Sequence, residues 1–119
     1  MISYDVSIRL PIKGLDNMWL GVEWLGNITW NVRELIKQSS GWDIKNEDDN
    51  GAVLPWLEMI EHGVDELTNH PEQYKQYESP NGWGTVEGTL RFYKDCRKYA
   101  HEWIADNEEC LPVAIIWVN

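Results

Sequence analysis

Carboxylates and a histidine recur at helical spacing in the middle of the chain. Glu58 and His62, like Glu61 and Asp65, are four residues apart, so in a helix each pair lies on one face. Such a pair can share a divalent metal, and Asp48 lies upstream as a further oxygen donor. The spacing raises the hypothesis of a small metal-dependent hydrolase with Glu58, His62 and Asp48 as ligands. The solvated face of an amphipathic helix explains the same residues and is the simpler interpretation.

An acidic loop precedes that helix. Residues 46–51 read Asn-Glu-Asp-Asp-Asn-Gly, which is similar to the start of a calcium-binding loop. The glutamate that closes such a loop is missing, because Leu57 stands at the twelfth position. We therefore interpret the segment as a solvated acidic turn and expect no cofactor.

Covalent catalysis has no sequence support. The chain lacks the nucleophile elbow, the phosphate-binding loop and the dinucleotide fingerprint. Cys96 and Cys110 do not form a CxxC pair, so we expect reduced thiols, with Cys96 buried and inert on the apolar side of a helix. These features lean against an enzyme.

Eight tryptophans in 119 residues are an unusual supply of large rings. Rings inside periodic segments are predicted to be core, and rings beside glycines in turns are predicted to be exposed. The first group is Trp24, Trp56, Trp103 and Trp117, and the second is Trp42 and Trp83. A glycine-flanked ring can anchor a partner or close the core from above, and both interpretations stay open.

The charge is concentrated in one segment. The net charge is -10, and residues 43–72 contain nine acidic residues against Lys45 alone. Direct binding of nucleic acid is disfavoured, because phosphates require an excess of Lys and Arg on one face. A basic protein partner fits better. The candidate contact residues are Trp42, Trp83, Glu58, Glu61, Asp65 and Glu66.

Strands are predicted at both ends of the chain. Polar and apolar residues alternate over residues 3–10, and residues 18–25 follow a turn, so the two segments predict a hairpin. On the second strand, Met18, Leu20, Val22 and Trp24 share the apolar side. Residues 111–118 are apolar on both faces, which is typical of a strand covered on two sides.

Helical periodicity fills the middle of the chain. The predicted helices cover residues 28–39, with Asn27 or Thr29 as the cap, residues 53–67, residues 71–77, and a long helix capped by Thr85. The expected fold is one domain over residues 1–119, of the α+β class. In it a small, mainly antiparallel sheet, made of the N-terminal hairpin and the C-terminal strand, carries three to four helices on one face.

No segment has the roughly 20 apolar residues that cross a membrane, and MISYDVSIRL lacks the features of a signal peptide. We expect a cytoplasmic protein without membrane contact. The oligomeric state cannot be read from the sequence.

Three segments carry a resemblance. They are Tyr4-Asp5-Val6-Ser7, the stretch Trp24-Leu25-Gly26-Asn27-Ile28-Thr29-Trp30-Asn31, and Leu54-Pro55-Trp56-Leu57. In these the chain resembles a group of small uncharacterised proteins of phages and actinobacteria that start with a Tyr-Asp strand and have an Asn-Ile-Thr-aromatic-Asn segment. The resemblance implies a phage or accessory origin and no catalytic residues.

Three functions remain open at this point. The first is an acidic protein-binding module that inhibits a basic or nucleic-acid-binding partner, as phage inhibitors and immunity proteins do. The second is the metal-dependent hydrolase with the Glu58 and His62 helix face. The third is an aromatic-rich sugar-binding protein or structural oligomer.

Overall fold

The computed structural model of the chain describes residues 3–12, 14–44 and 51–119, and it has the predicted α+β architecture. Within these residues two strands are followed by four helices and a last strand. The elements are β1 (Ser3–Ile12), β2 (Leu15–Thr29), α1 (Arg33–Ser40), α2 (Val53–Asn69), α3 (Pro71–Tyr74), α4 (Val86–Asp106) and β3 (Ile115–Val118), with 3-10 turns at Trp30–Val32, Lys75–Tyr77 and Glu108–Cys110.

The predicted hairpin of β1 and β2 is confirmed, and β1 is the middle strand. The strand order is β2-β1-β3, with both pairs antiparallel. Val6 pairs with Gly26 and Ser7 pairs with Trp24, so Leu25 is an extra residue that forms a bulge in β2. This register decides which side chains face the helices.

The first helix starts later than the sequence predicts. β2 runs to Thr29, and α1 begins at Arg33 after the 3-10 turn. Asn27 does not cap a helix, because its side-chain amide donates to Asp5 and Ser3 on the neighbouring strand. A polar cross-strand pair here takes the place of a helix cap.

The last strand is shorter than expected and lies at an edge. β3 starts at Ile115, because the chain turns through residues 108–113 first. The apolar residues on both faces predicted a strand covered on two sides, whereas the order β2-β1-β3 makes β3 an edge strand. A short contact covers part of its outer edge, where the Ile116 amide donates to the Gly51 carbonyl at 2.9 Å and Ala52 bridges Ile115.

The helices are held to each other by close packing. In α2 a Cβ on Gly63 would lie 2.5 Å from Cε2 of Tyr93, so this glycine lets α4 approach α2 closely. The Tyr93 hydroxyl reaches α1, where it shares a 2.7 Å hydrogen bond with Ser39 Oγ. The predicted cap of α4 is confirmed, because Thr85 Oγ1 accepts from the Gly88 amide. At the other end of a helix, Gly41 ends α1 with a φ of 83°.

Candidate binding surfaces

The outward side of α2 carries the acidic residues that were predicted from the sequence as contact residues. Seven residues of this helix are buried in the core, among them Trp56, Ile60 and Leu67. On the other side Glu58, Glu61, His62 and Asp65 are exposed and Glu66 is half-buried. We call Glu58, Glu61, Asp65 and Glu66 the acidic face. Because the buried side is fixed by packing, the direction in which these carboxylates project is fixed as well.

Two carboxylates of the acidic face have partners, and neither ion-pair partner is a Lys or Arg. Glu66 accepts from the Tyr74 hydroxyl at 2.9 Å and lies 3.9 Å from His70. Burial, together with this bond, raises the pKa of Tyr74. Glu61 meets His101 of α4 at 3.3 Å. Glu58 and Asp65 form no ion pair with any described residue. The face therefore keeps most of its negative charge available.

The metal hypothesis gains no third ligand from the described part of the chain. Glu58 and His62 lie on the same side of α2, as their spacing predicts. Within the described residues no group of three or more His, Cys, Asp or Glu side chains could hold a metal ion. Asp48, with the rest of the acidic loop from residue 46 to residue 50, lies outside the described residues.

Trp42 is buried, so its prediction as an exposed anchor was wrong. Its relative accessibility is 0%, and its ring meets Trp56 edge to face with centroids 5.7 Å apart. Gly41 in the left-handed conformation reverses the chain and turns the next residue back onto the helix. A hydrophobic residue directly after such a glycine commonly packs on the last turn, which is the sequence signal that identifies Trp42 as core.

Trp83 is exposed, as predicted, and it stands on an ordered loop. Asn81 Oδ1 accepts from the Ser79 hydroxyl and from the Trp83 amide, at 2.7 and 2.9 Å. Gly84, with a φ of 90°, lies so close to Val32, in the 3-10 turn before α1, that a side chain would not fit there. The backbone that carries Trp83 is thus fixed, while 54% of the residue is accessible.

The outer face of the sheet holds tryptophans that the sequence assigns to the core. Ser7 of β1 pairs with Trp24 on one side and with Trp117 on the other, so both rings share its face. The core contains the alternate residues Val6 and Ile8, which point the opposite way. Trp24 is 55% exposed and Trp117 is half-buried, so both core predictions were wrong. The cross-strand register, which the sequence does not reveal, decides the face.

Polar groups tie these outer rings in place. The Arg9 guanidinium lies 5.0 Å from the Trp19 ring centroid and 5.4 Å from that of Trp117, which is the geometry of cation–π contacts. Trp24 Nε1 donates to Asp5 Oδ1 at 3.2 Å. Hydrogen bonds from Asn27 and Trp24 lower the pKa of Asp5. The outer face is therefore an ordered surface.

Apolar exposure is concentrated on β2. Of the nine large apolar residues that the described chain exposes, five belong to this strand, which therefore differs from every other element. They are Leu15, Met18, Leu20, Val22 and Trp24. The sequence predicts the last four to lie on one apolar side of the strand, but it does not predict that this side meets solvent. Exposed apolar groups at this density commonly mark an interaction surface.

Burial makes Cys96 an inert thiol, as predicted. It is a residue of α4 that is fully buried against β2, and burial raises the pKa of its thiol. Cys110, by contrast, is partly exposed.

None of the helices in the described residues is long and apolar enough to span a membrane. Comparison with known proteins leaves the resemblance to the phage and actinobacterial group as a prediction, since no family model, no curated protein and no solved structure matches this chain.

Proposed function

We propose that the protein is a small acidic binding module that covers a basic surface of a partner protein and thereby inhibits it. The observation that carries this proposal is the acidic face of α2. This helix has four acidic residues and contains no Lys or Arg. The only ion-pair partners of its carboxylates in the described chain are His70 and His101, which are charged only when protonated.

Electrostatics gives this face its function. Carboxylates on one rigid side of a helix produce a field that attracts a cationic surface and orients it before contact. Where the partner binds nucleic acid, the carboxylates take the place of phosphates. The field continues onto the end of α4, because residues 101–119 contain four acidic residues and no Lys or Arg.

Trp83 supplies an apolar anchor at one end of the helical layer. Its loop lies between the 3-10 turn Lys75–Tyr77 and the start of α4, and Gly84 beside it packs against Val32. An exposed ring on a fixed backbone loses little entropy on binding. We therefore expect Trp83 to contribute affinity and the acidic face to contribute association rate.

Binding to purified basic proteins tests the proposal. Candidate nucleases or effectors are mixed with the chain and followed by gel filtration at about 0.05 M and about 0.5 M salt, where screening differs strongly. A complex should form at low salt and weaken at high salt. The variant with Glu58→Gln, Glu61→Gln and Asp65→Gln should lose it.

A matched control variant distinguishes the effect of the position of the carboxylates from the effect of the total charge. Glu23→Gln, Glu34→Gln and Glu87→Gln change the net charge equally at exposed positions on other elements. This control variant should bind as the wild type does. The proposal is contradicted if binding is the same at low and high salt, or if both variants weaken binding equally.

A further inference from the structure

The edge of β2 that faces away from β1 borders a groove. In the strand order β2-β1-β3, no described strand pairs with this edge. Beside it a groove of about 350 Å³ separates β2 from α4. The strand side of the groove is lined by β2 residues 24–28. The helix side is lined by residues of α4 that include Arg91, Phe92 and Asp95. Unpaired backbone groups and a groove on the same edge are the elements of a strand-to-strand docking site.

Two opposite charges stand on the helix wall of this groove without partners. Arg91 and Asp95 are exposed, are one helical turn apart, and form no ion pair with any described residue. A surface with one positive and one negative group side by side is complementary to its own copy turned through 180°.

The position of Gly26 fixes where such a twofold axis would lie. A Cβ on Gly26 would be 3.1 Å from Phe92 and 3.5 Å from the sulfur of Cys96. This glycine is therefore level with the helical turn that spans Arg91 and Asp95. One axis beside Gly26 brings two β2 edges together in antiparallel orientation and also sets Arg91 opposite Asp95 of the partner subunit.

We propose that this protein forms a symmetric dimer in which the β2 edge and the α4 groove of one copy dock onto those of a second copy. β2 contains neither Lys nor Pro, the residues that commonly block a free edge. The exposed side chains of Val22 and Trp24 adjoin the contact and add apolar area to it. Because a twofold contact uses the same edge on both copies, it closes as a pair and does not extend into a fibre.

Added salt should strengthen this dimer contact, whereas it should weaken the binding of a basic partner to the acidic face. Each copy has a net charge of -10, so two copies repel each other through their overall field. Screening weakens that long-range repulsion more than the close Arg91 to Asp95 contacts. The dimer therefore tightens as salt rises, whereas binding of a basic partner weakens, and the two proposals can fail independently.

The test is the mass of the purified full chain in solution, followed by sedimentation equilibrium up to about 100 μM. The wild type should approach twice the chain mass of 13.9 kDa, more completely at about 0.5 M than at about 0.05 M salt. Arg91→Asp and Asp95→Arg should each weaken self-association at least about tenfold, because each places like charges opposite one another.

Mixing the two variants gives the decisive result. Arg91→Asp and Asp95→Arg, which fail alone, should associate with each other, and the double variant R91D/D95R should associate with itself. Lys37→Asp and Glu34→Arg on α1 are controls that should behave as the wild type. A single-chain mass for the wild type at both salts overturns the proposal. So do groove variants that associate normally, a mixture that stays dissociated, or controls that weaken association equally.

Discussion

At the scale of single residues, the contact between Trp42 and Trp56 shows how this small chain fills its core. Both rings are almost fully buried, at 0% and 1% accessibility, and they meet edge to face. Their indole N–H groups have no hydrogen-bond partner among the described residues, so these rings contribute through packing. Trp83, by contrast, is exposed and does not fill the core.

Replacing Trp42 and Trp83 by alanine should distinguish a core ring from a surface ring by the free energy of unfolding. Trp42→Ala leaves a large cavity and should lower the free energy of unfolding by about 3–5 kcal/mol. Trp83→Ala should change it by less than about 0.5 kcal/mol, because that ring is exposed. Urea unfolding followed by circular dichroism measures both. Similar losses for the two variants would contradict the assignment of Trp42 to the core and Trp83 to the surface.

Tyr93 makes stability depend on pH in the alkaline range. Burial raises its pKa from 10.0 to about 12, with the Ser39 and Ser40 hydrogen bonds acting in the other direction. Between these values the unfolded chain has lost the phenolic proton and the folded chain still holds it. The stabilisation is therefore complete below pH 10 and is lost as pH rises toward 12.

Tyr93→Phe tests this dependence. At neutral pH the variant should lose about 1 kcal/mol through the missing hydroxyl bond. Between pH 10 and pH 12 the wild type should lose stability more steeply than the variant. Burial also raises the pKa of the Cys96 thiol, which remains in both proteins, so the difference between their slopes isolates Tyr93. Parallel slopes would refute the pH assignment.

Sequence patterns predicted the environment of some tryptophans and failed for others for a physical reason. Trp56 and Trp103 lie on helices whose period shows the buried side, and both are buried as predicted. Trp24 and Trp117 lie on strands, where alternation defines two sides but does not say which one the helices cover. For Trp42 the local signal was the left-handed glycine before it, which outweighs its location in a turn.

At the scale of elements, the contact of α2 with α4 positions the acidic face. Gly63 lies against the ring of Tyr93, with space for no side chain. Gly63→Ala gains about 1 kcal/mol of helix propensity but must push the two helices apart. We expect a net loss of at least about 1 kcal/mol in urea unfolding.

Gly88→Ala in α4 is the matched control. The nearest atom to its new Cβ is Thr85 Oγ1 at 3.2 Å, the end of a small side chain. This variant should be more stable than Gly63→Ala by at least about 1 kcal/mol. Equal effects would show that close packing between α2 and α4 does not determine the position of the acidic face.

The elements themselves were largely predictable, and the errors lie where tertiary contacts prevail over local signals. The helices α2, α3 and α4 begin near the residues that periodicity and caps indicate. The start of α1 was misplaced, because Asn27 bonds across the hairpin and keeps β2 extended to Thr29. The groove beside β2 had no sequence signal, since it arises from the placement of α4 against a strand 60 residues away in the chain.

At the scale of the whole molecule, charge is divided between two regions. The outer side of α2 and the end of α4 are acidic, whereas the middle of α4 carries Arg91, Lys94, Arg97 and Lys98. The carboxylates of α2 lie opposite the buried side of the helix, where the proposed cationic partner would bind. The β2 edge of the proposed dimer contact belongs to a different element from the acidic face of α2.

The most direct measurement is affinity capture from cells of the natural host with three tagged proteins compared by quantitative mass spectrometry. These are the wild type, the variant with Glu61→Gln, Asp65→Gln and Glu66→Gln, and the control with Glu23→Gln, Glu34→Gln and Glu87→Gln. The account predicts one basic protein that is enriched by the wild type and the control, released by salt, and lost with the first variant. Capture that is unchanged in that variant, or no enriched basic protein, would contradict it.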